Sequence, residues 1–138
     1  MQSPLARLVT PQPASPDLRL ALFTVRRMGA HGLADAHAAW ATLSAFGRGF
    51  RRPLLLTRAL LAELSATARG TIAIAPCCCP RMTGAERALL DLLAAAHQPD
   101  RARPLAQALL GAEAVDHVVA AAAAVSRAYA EAGRPLSA

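Results

Sequence analysis

The chain has 138 residues, 54% of them hydrophobic and only 4% aromatic, and its fifteen basic residues are all Arg against nine acidic ones. That length makes one domain able to bury a core without a metal or disulfide staple, and the dearth of aromatics asks for Leu, Val and Ala on closely packed helices. The formal charge of +6 is compatible with nucleic acid, anionic lipid or an acidic protein and selects none of them, while no apolar run approaches the about 20 residues of a membrane span.

Residues 1–14, with Pro4, Pro11 and Pro13, read as a flexible or extended leader ahead of a single helical domain over 15–138. Thr10-Pro11-Gln12-Pro13 interrupts the apolar core that an export signal needs, so a cytoplasmic location is expected. Ser15 and Pro16 form a cap and first turn, and Leu18, Leu22 and Val25 give a first helix over about Pro16 to Met28. Ala36, Trp40 and Leu43 form a second stripe ending at Gly47, with His37, Ser44 and Arg48 opposite. A third helix starts near Pro53, turns Leu56, Leu60 and Leu64 inward and closes at Gly70.

Thr71 to Pro76 is rich in β-branched residues and reads as an extended connector into three cysteines. Thr83 and Glu86 have the spacing of a capping box, followed by Leu89, Leu90 and Leu93 in a fourth helix that ends near His97. A short fifth helix carries Leu105 and Leu109 up to Gly111. The sixth runs over about Ala112 to Ala132, with Val115, Val118, Val119, Ala122, Val125 and Tyr129 inward and Gly133 and Pro135 as stops. The expected architecture is an all-α, single-domain bundle of five to six helices with a short extended Cys-containing connector.

Cys77, Cys78 and Cys79, between Pro76 and Pro80, are the only cysteines. In extended chain Cys77 and Cys79 share a side and Cys78 faces the other. A disulfide between neighbours is disfavoured, because consecutive Cα atoms lie about 3.8 Å apart and bridged cysteines usually need about 4.4 Å or more. Two thiolates suit Cu(I); Zn²⁺ wants four ligands, and so needs histidines or a second chain. His31, His37 and His97 are the candidate additional ligands, with His117 a further histidine, and none has a diagnostic spacing from the cysteines. The dipole of the Thr83 helix and the charge of Arg81 single out Cys79 as the candidate thiolate, and Cys79-Pro80 matches the minimal pair of some regulatory haem sites. Buried packing is the third reading, since free Cys is often a small core residue.

Arg48, Arg51 and Arg52 around two glycines are a candidate anion site, against a plain solvated turn in which they pair with acids such as Asp35. A helix-turn-helix using Arg101 and Arg103 is weakened by Pro104. His31, Asp35 and His37 form a loose acid-base grouping, and Glu113 and His117 have the spacing of a solvated helix pair. Phosphate-loop, nucleophile-elbow, metalloprotease and dinucleotide motifs are missing, which leans against catalysis.

The block from Ala75 to Thr83, with Arg26 to Leu33 and Gly49 to Pro53, resembles a small bacterial family of uncharacterised helical proteins with a Cys-Cys-Cys-Pro-Arg-Met motif. The resemblance spans most of the chain after the leader and implies no activity, cofactor or catalytic residue. The leading expectation is a binding or regulatory module whose cysteines hold Zn or Cu(I) or sense redox state, with a second copy or another protein as partner. The alternative is an Arg-rich module binding an anion, nucleic acid or acidic protein, in which the cysteines only pack; nucleic acid ranks behind a protein partner.

Overall fold

The computed structural model describes residues 4–137. Ser15 Oγ accepts the Leu18 N–H at 3.3 Å, and Pro16 occupies a first-turn position where no donor is needed, so α1 (Pro16–His31) starts where the cap predicts. It runs one turn beyond expectation because Gly29 stays helical; Gly32, at φ +104°, ends it. Asp35 caps α2 (Ala36–Phe46), its carboxylate accepting the Ala38 N–H at 2.9 Å.

The inward face of α2 differs from the expected stripe: Ala38 and Thr42 are buried and Trp40 is 68% exposed. Small residues four apart let α2 lie close to α1, whereas a Trp there would hold the two apart. A 3-10 turn over Gly47–Phe50 leads directly into α3 (Arg51–Thr67), which buries Leu54, Thr57, Leu60, Leu61 and Leu64 and leaves Leu56 half-buried. That helix stops at Ala68, short of Gly70, because the Arg69 N–H bonds Leu110 O at 3.0 Å and draws the chain aside.

The segment expected as a flexible or extended leader pairs with the rest of the chain, its residues 1–3 lying outside the described span. Strand β1 (Leu8–Pro11) runs antiparallel to β2 (Arg81–Thr83), with Leu8 opposite Thr83 and Pro11 opposite Arg81, and an irregularity between Leu8 and Thr10. Gln12 N–H to Pro80 O and Gly84 N–H to Arg7 O, at 2.9 and 3.0 Å, extend the pairing at both ends. Val9 and Thr10 favour an extended chain, and Pro11 is tolerated at the strand's end.

Three helices complete the domain: α4 (Gly84–Ala95), α5 (Pro99–Leu110) and α6 (Asp116–Glu131). The last starts later than expected. Gly111 turns left-handed at φ +65°, Gln107 Nε2 donates to Glu113 O at 3.2 Å, and the buried Val115 opens the helix through its carbonyl. Helix α3 packs on α6, α4 on α5 and α1 on α2 around one apolar core, in which the Tyr129 ring meets Phe46 edge-on at 5.0 Å. The result is a mostly helical domain with a small two-stranded sheet.

Candidate functional site

The connector from α3 to β2 packs the Ile74 side chain onto α1 at Gly29, where a Cβ would oblige the end of that side chain to shift. It then turns sharply at the cysteines. Pro76 O accepts the Cys79 N–H at 3.0 Å, a β-turn with Cys77 and Cys78 at its corner. The alternation expected of an extended chain is lost there, and Cys77 Sγ and Cys78 Sγ lie 3.7 Å apart. Cys78 is exposed, and Cys77 and Cys79 are half-buried. Those two do line a common groove of about 780 Å³, together with Leu8 and His31, yet it is Cys78 that sits against Cys77.

The turn is held from beneath by a buried ion pair. Arg26 Nε donates to Glu86 Oε2 at 2.6 Å and Nη2 to Oε1 at 3.1 Å, both residues being 1% exposed. The rest of the guanidinium bonds Cys79 O and Arg81 O, each at 2.8 Å. Glu86 in turn accepts the Thr83 N–H at 2.9 Å and the Ala75 N–H at 3.3 Å, while Thr83 Oγ1 caps the Glu86 N–H and donates to Ala73 O. The capping box is present as the spacing predicts. It also anchors both sides of the cysteine turn to α1. Gln12 Nε2 adds a 2.7 Å bond to Cys79 O, tying in the chain beyond β1.

These contacts revise the electrostatics expected of Cys79. The Glu86 carboxylate already occupies the positive end of α4, and the Arg81 guanidinium donates to Val9 O at 3.3 Å. Charge is concentrated instead near Cys77. Arg27 bonds both oxygens of Asp35 at 3.1 and 3.0 Å and donates to His37 Nδ1 at 2.8 Å, and its charge lies near enough to Cys77 for the two to influence each other. The Arg27 bond, with the Ala38 N–H assisting, holds the Asp35 carboxyl down at about 2. Cys78 is pushed the other way: its hydrogen bond to Cys77, and then the charge of that thiol, raise it above the ordinary range.

The remaining candidates are dispersed. His31 lines the groove, His37 is bound to Arg27, and His97 is exposed beyond α4. His117 pairs with Glu63 and Thr67, at 3.5 and 2.7 Å, because Glu113 lies outside α6 and the i,i+4 relation does not apply. Among the described residues no three or more His, Cys, Asp or Glu side chains come together as metal ligands. Arg48 is exposed, Arg51 lies over the Phe50 ring at 6.0 Å, and Arg52 faces Glu131 at 3.9 Å. Asp35, expected as a partner of these arginines, belongs to Arg27. Arg103 pairs with Asp116 at 2.7 Å, Arg101 donates to Gln98, and Pro104 sits inside α5, where a DNA-reading helix would be interrupted.

Sequence reasoning missed Arg26 and Gln12. Arg26 was within reach of it: it lies four residues after Leu22, on the face that α1 turns inward. Gln12 carried no such signal, since its partner lies 67 residues away in sequence and is brought to it only by the strand pairing.

A family model described as a family of unknown function, DUF6628, matches residues 4–132. The chain belongs to this family. No curated protein and no solved structure matches it. The matched span takes in the cysteine turn, its Arg26–Glu86 brace and the paired β1, so the family relation covers the whole site without assigning it an activity. Among the described residues no helix is long and apolar enough to cross a membrane.

Proposed function

We propose that this chain is a binding or regulatory module whose cysteine turn holds a soft metal ion, with the Cys77 and Cys78 thiolates as ligands. The carrying observation is the pair of sulfurs 3.7 Å apart on a solvent-accessible corner. Neighbouring thiols resist closing into a disulfide, for want of Cα separation, but meet no such obstacle in sharing an ion. The Arg26 brace limits the entropy lost when the ion binds, because the backbone around the thiols is already ordered by Glu86, Thr83 and Gln12. A reducing cytoplasm would keep both thiols available.

Protons compete with the ion for both sulfurs, and Cys78 holds its proton above the ordinary thiol range. Affinity should therefore rise with pH through neutrality. The test is an anaerobic competition titration of the reduced protein against a chromophoric chelator, using Zn²⁺ and Cu(I) separately. Binding lost in Cys77→Ser and in Cys78→Ser supports the assignment. Unchanged affinity in both variants, or full thiol reactivity with no ion retained, sinks it; oxidant-dependent loss of thiols without metal binding would point to redox sensing instead.

A further inference from the structure

We infer that the cysteine turn is one half of a tetrahedral zinc site, completed by the same turn of a second copy of this chain. The inference rests on the soft-ion reading of Cys77 and Cys78 and adds the identity of the ion and of the partner. Zinc–thiolate bonds of about 2.3 Å place the corners of a tetrahedron about 3.8 Å apart. The sulfur separation of 3.7 Å, a thiol–thiol contact in the metal-free chain, already fits that edge. A two-coordinate ion in linear geometry would instead separate its sulfurs by two full bond lengths, well beyond this distance.

Two corners then remain. Among the described residues no third His, Cys, Asp or Glu joins the pair. Cys79 is held through its backbone, its N–H to Pro76 O and its carbonyl to Arg26 and Gln12, and the sulfur contact in the turn is between Cys77 and Cys78. A two-fold axis through the ion supplies the missing pair without any new residue type, since the same patch is presented by both copies. The turn suits such an approach. Cys78 is exposed between the exposed Pro76 and Pro80, and Leu8, 47% exposed on the adjoining groove, offers apolar surface beside the thiols.

Charge argues the same way. Four thiols release four protons on coordinating one Zn²⁺, leaving a centre of charge 2−, opposite in sign to the formal +6 of each chain. Without the ion, two chains of formal charge +6 repel. Pairing should thus depend on the metal.

The decisive experiment titrates the reduced 138-residue chain with Zn²⁺ while its mass is followed by sedimentation. The expected result is one zinc per two chains, with the mass doubling from 14.4 kDa and returning to it on adding EDTA. Co²⁺ in place of zinc should give the absorption of tetrahedral sulfur coordination. In the unaltered protein, zinc should protect Cys77 and Cys78 from alkylation, as read by peptide mapping. The Cys77→Ser and Cys78→Ser variants should remain monomeric, with an unchanged circular dichroism spectrum showing that they still fold. One zinc per chain at constant mass would overturn the second copy and leave the soft-ion reading standing. No bound metal would remove both. Doubling of mass without metal, or zinc-dependent doubling in both Ser variants, would equally overturn the shared site.

Discussion

Arg26 is the residue on which the site depends most. Its guanidinium is buried and reaches a carboxylate and two carbonyls, so the cost of desolvating it is offset only while all of these partners stay in place. Replacing Glu86 by Gln leaves the Arg26 charge underground without its counter-ion. Equilibrium urea unfolding should show a loss of about 3–5 kcal/mol, the range for breaking one side of a buried pair. The same change weakens the bond network behind Ala75 and Thr83, so alkylation of the cysteines in native protein should quicken as well. A purely local loss, with thiol reactivity untouched, would show that the turn holds itself without the brace.

At the scale of elements, caps do two jobs in this fold. Thr83 starts α4 and also bonds Ala73 O, fastening the connector; Asp35 starts α2 and also bonds Arg27. Thr83→Ala should cost about 1–2 kcal/mol, with hydrogen exchange accelerating at the start of α4 and in the connector together. The Asp35 cap gives a pH signature. Its carboxyl is lowered from 3.8 to about 2, so the folded state binds its proton less readily than the unfolded chain does. This contribution is whole above the ordinary value and is lost as pH falls through about 2. An Asp35→Asn variant should be the less stable at neutral pH, with the gap to the parent narrowing over that acid window in thermal melts. The Thr83 cap was legible in sequence from its spacing to Glu86, whereas Asp35 reads there as an acid-base or Arg partner and its capping role emerges only from the fold; the second partners of both come from other elements.

For the whole molecule the corresponding reporter is Tyr129. Burial pushes its hydroxyl up to about 12, α6 packs on α3, and its ring meets Phe46 of α2 edge-on, so one side chain senses the packing of α6 on its neighbours. A raised folded value means this stabilisation is complete below the ordinary 10 and lost as pH rises through about 12. Circular dichroism and tyrosinate absorption should therefore change together in that alkaline window. In Tyr129→Phe the alkaline transition should move upward, and an unchanged transition would mean that Tyr129 ionises without opening the core.

Helix number, most boundaries and the Leu-and-Val core follow from the sequence by itself, because periodicity and caps are encoded within a few residues of each other. Thr83 with Glu86 is the clearest case, and the three adjacent cysteines marked the site directly. What only the tertiary structure decided is how that site is built. The Cys77–Cys78 contact comes from a turn closed at Pro76 and Cys79, the brace comes from Arg26 some sixty residues upstream of Glu86, and Gln12 arrives through the pairing of β1 with β2. Trp40 makes the same point in reverse: spacing placed it inward, but close packing of α2 on α1 admitted Ala38 and Thr42 and left the ring outside. Local signals set where each helix begins and which stripe it offers, whereas contacts across the chain choose among stripes and bring charge to the thiols, since those energies exist only once distant segments have met.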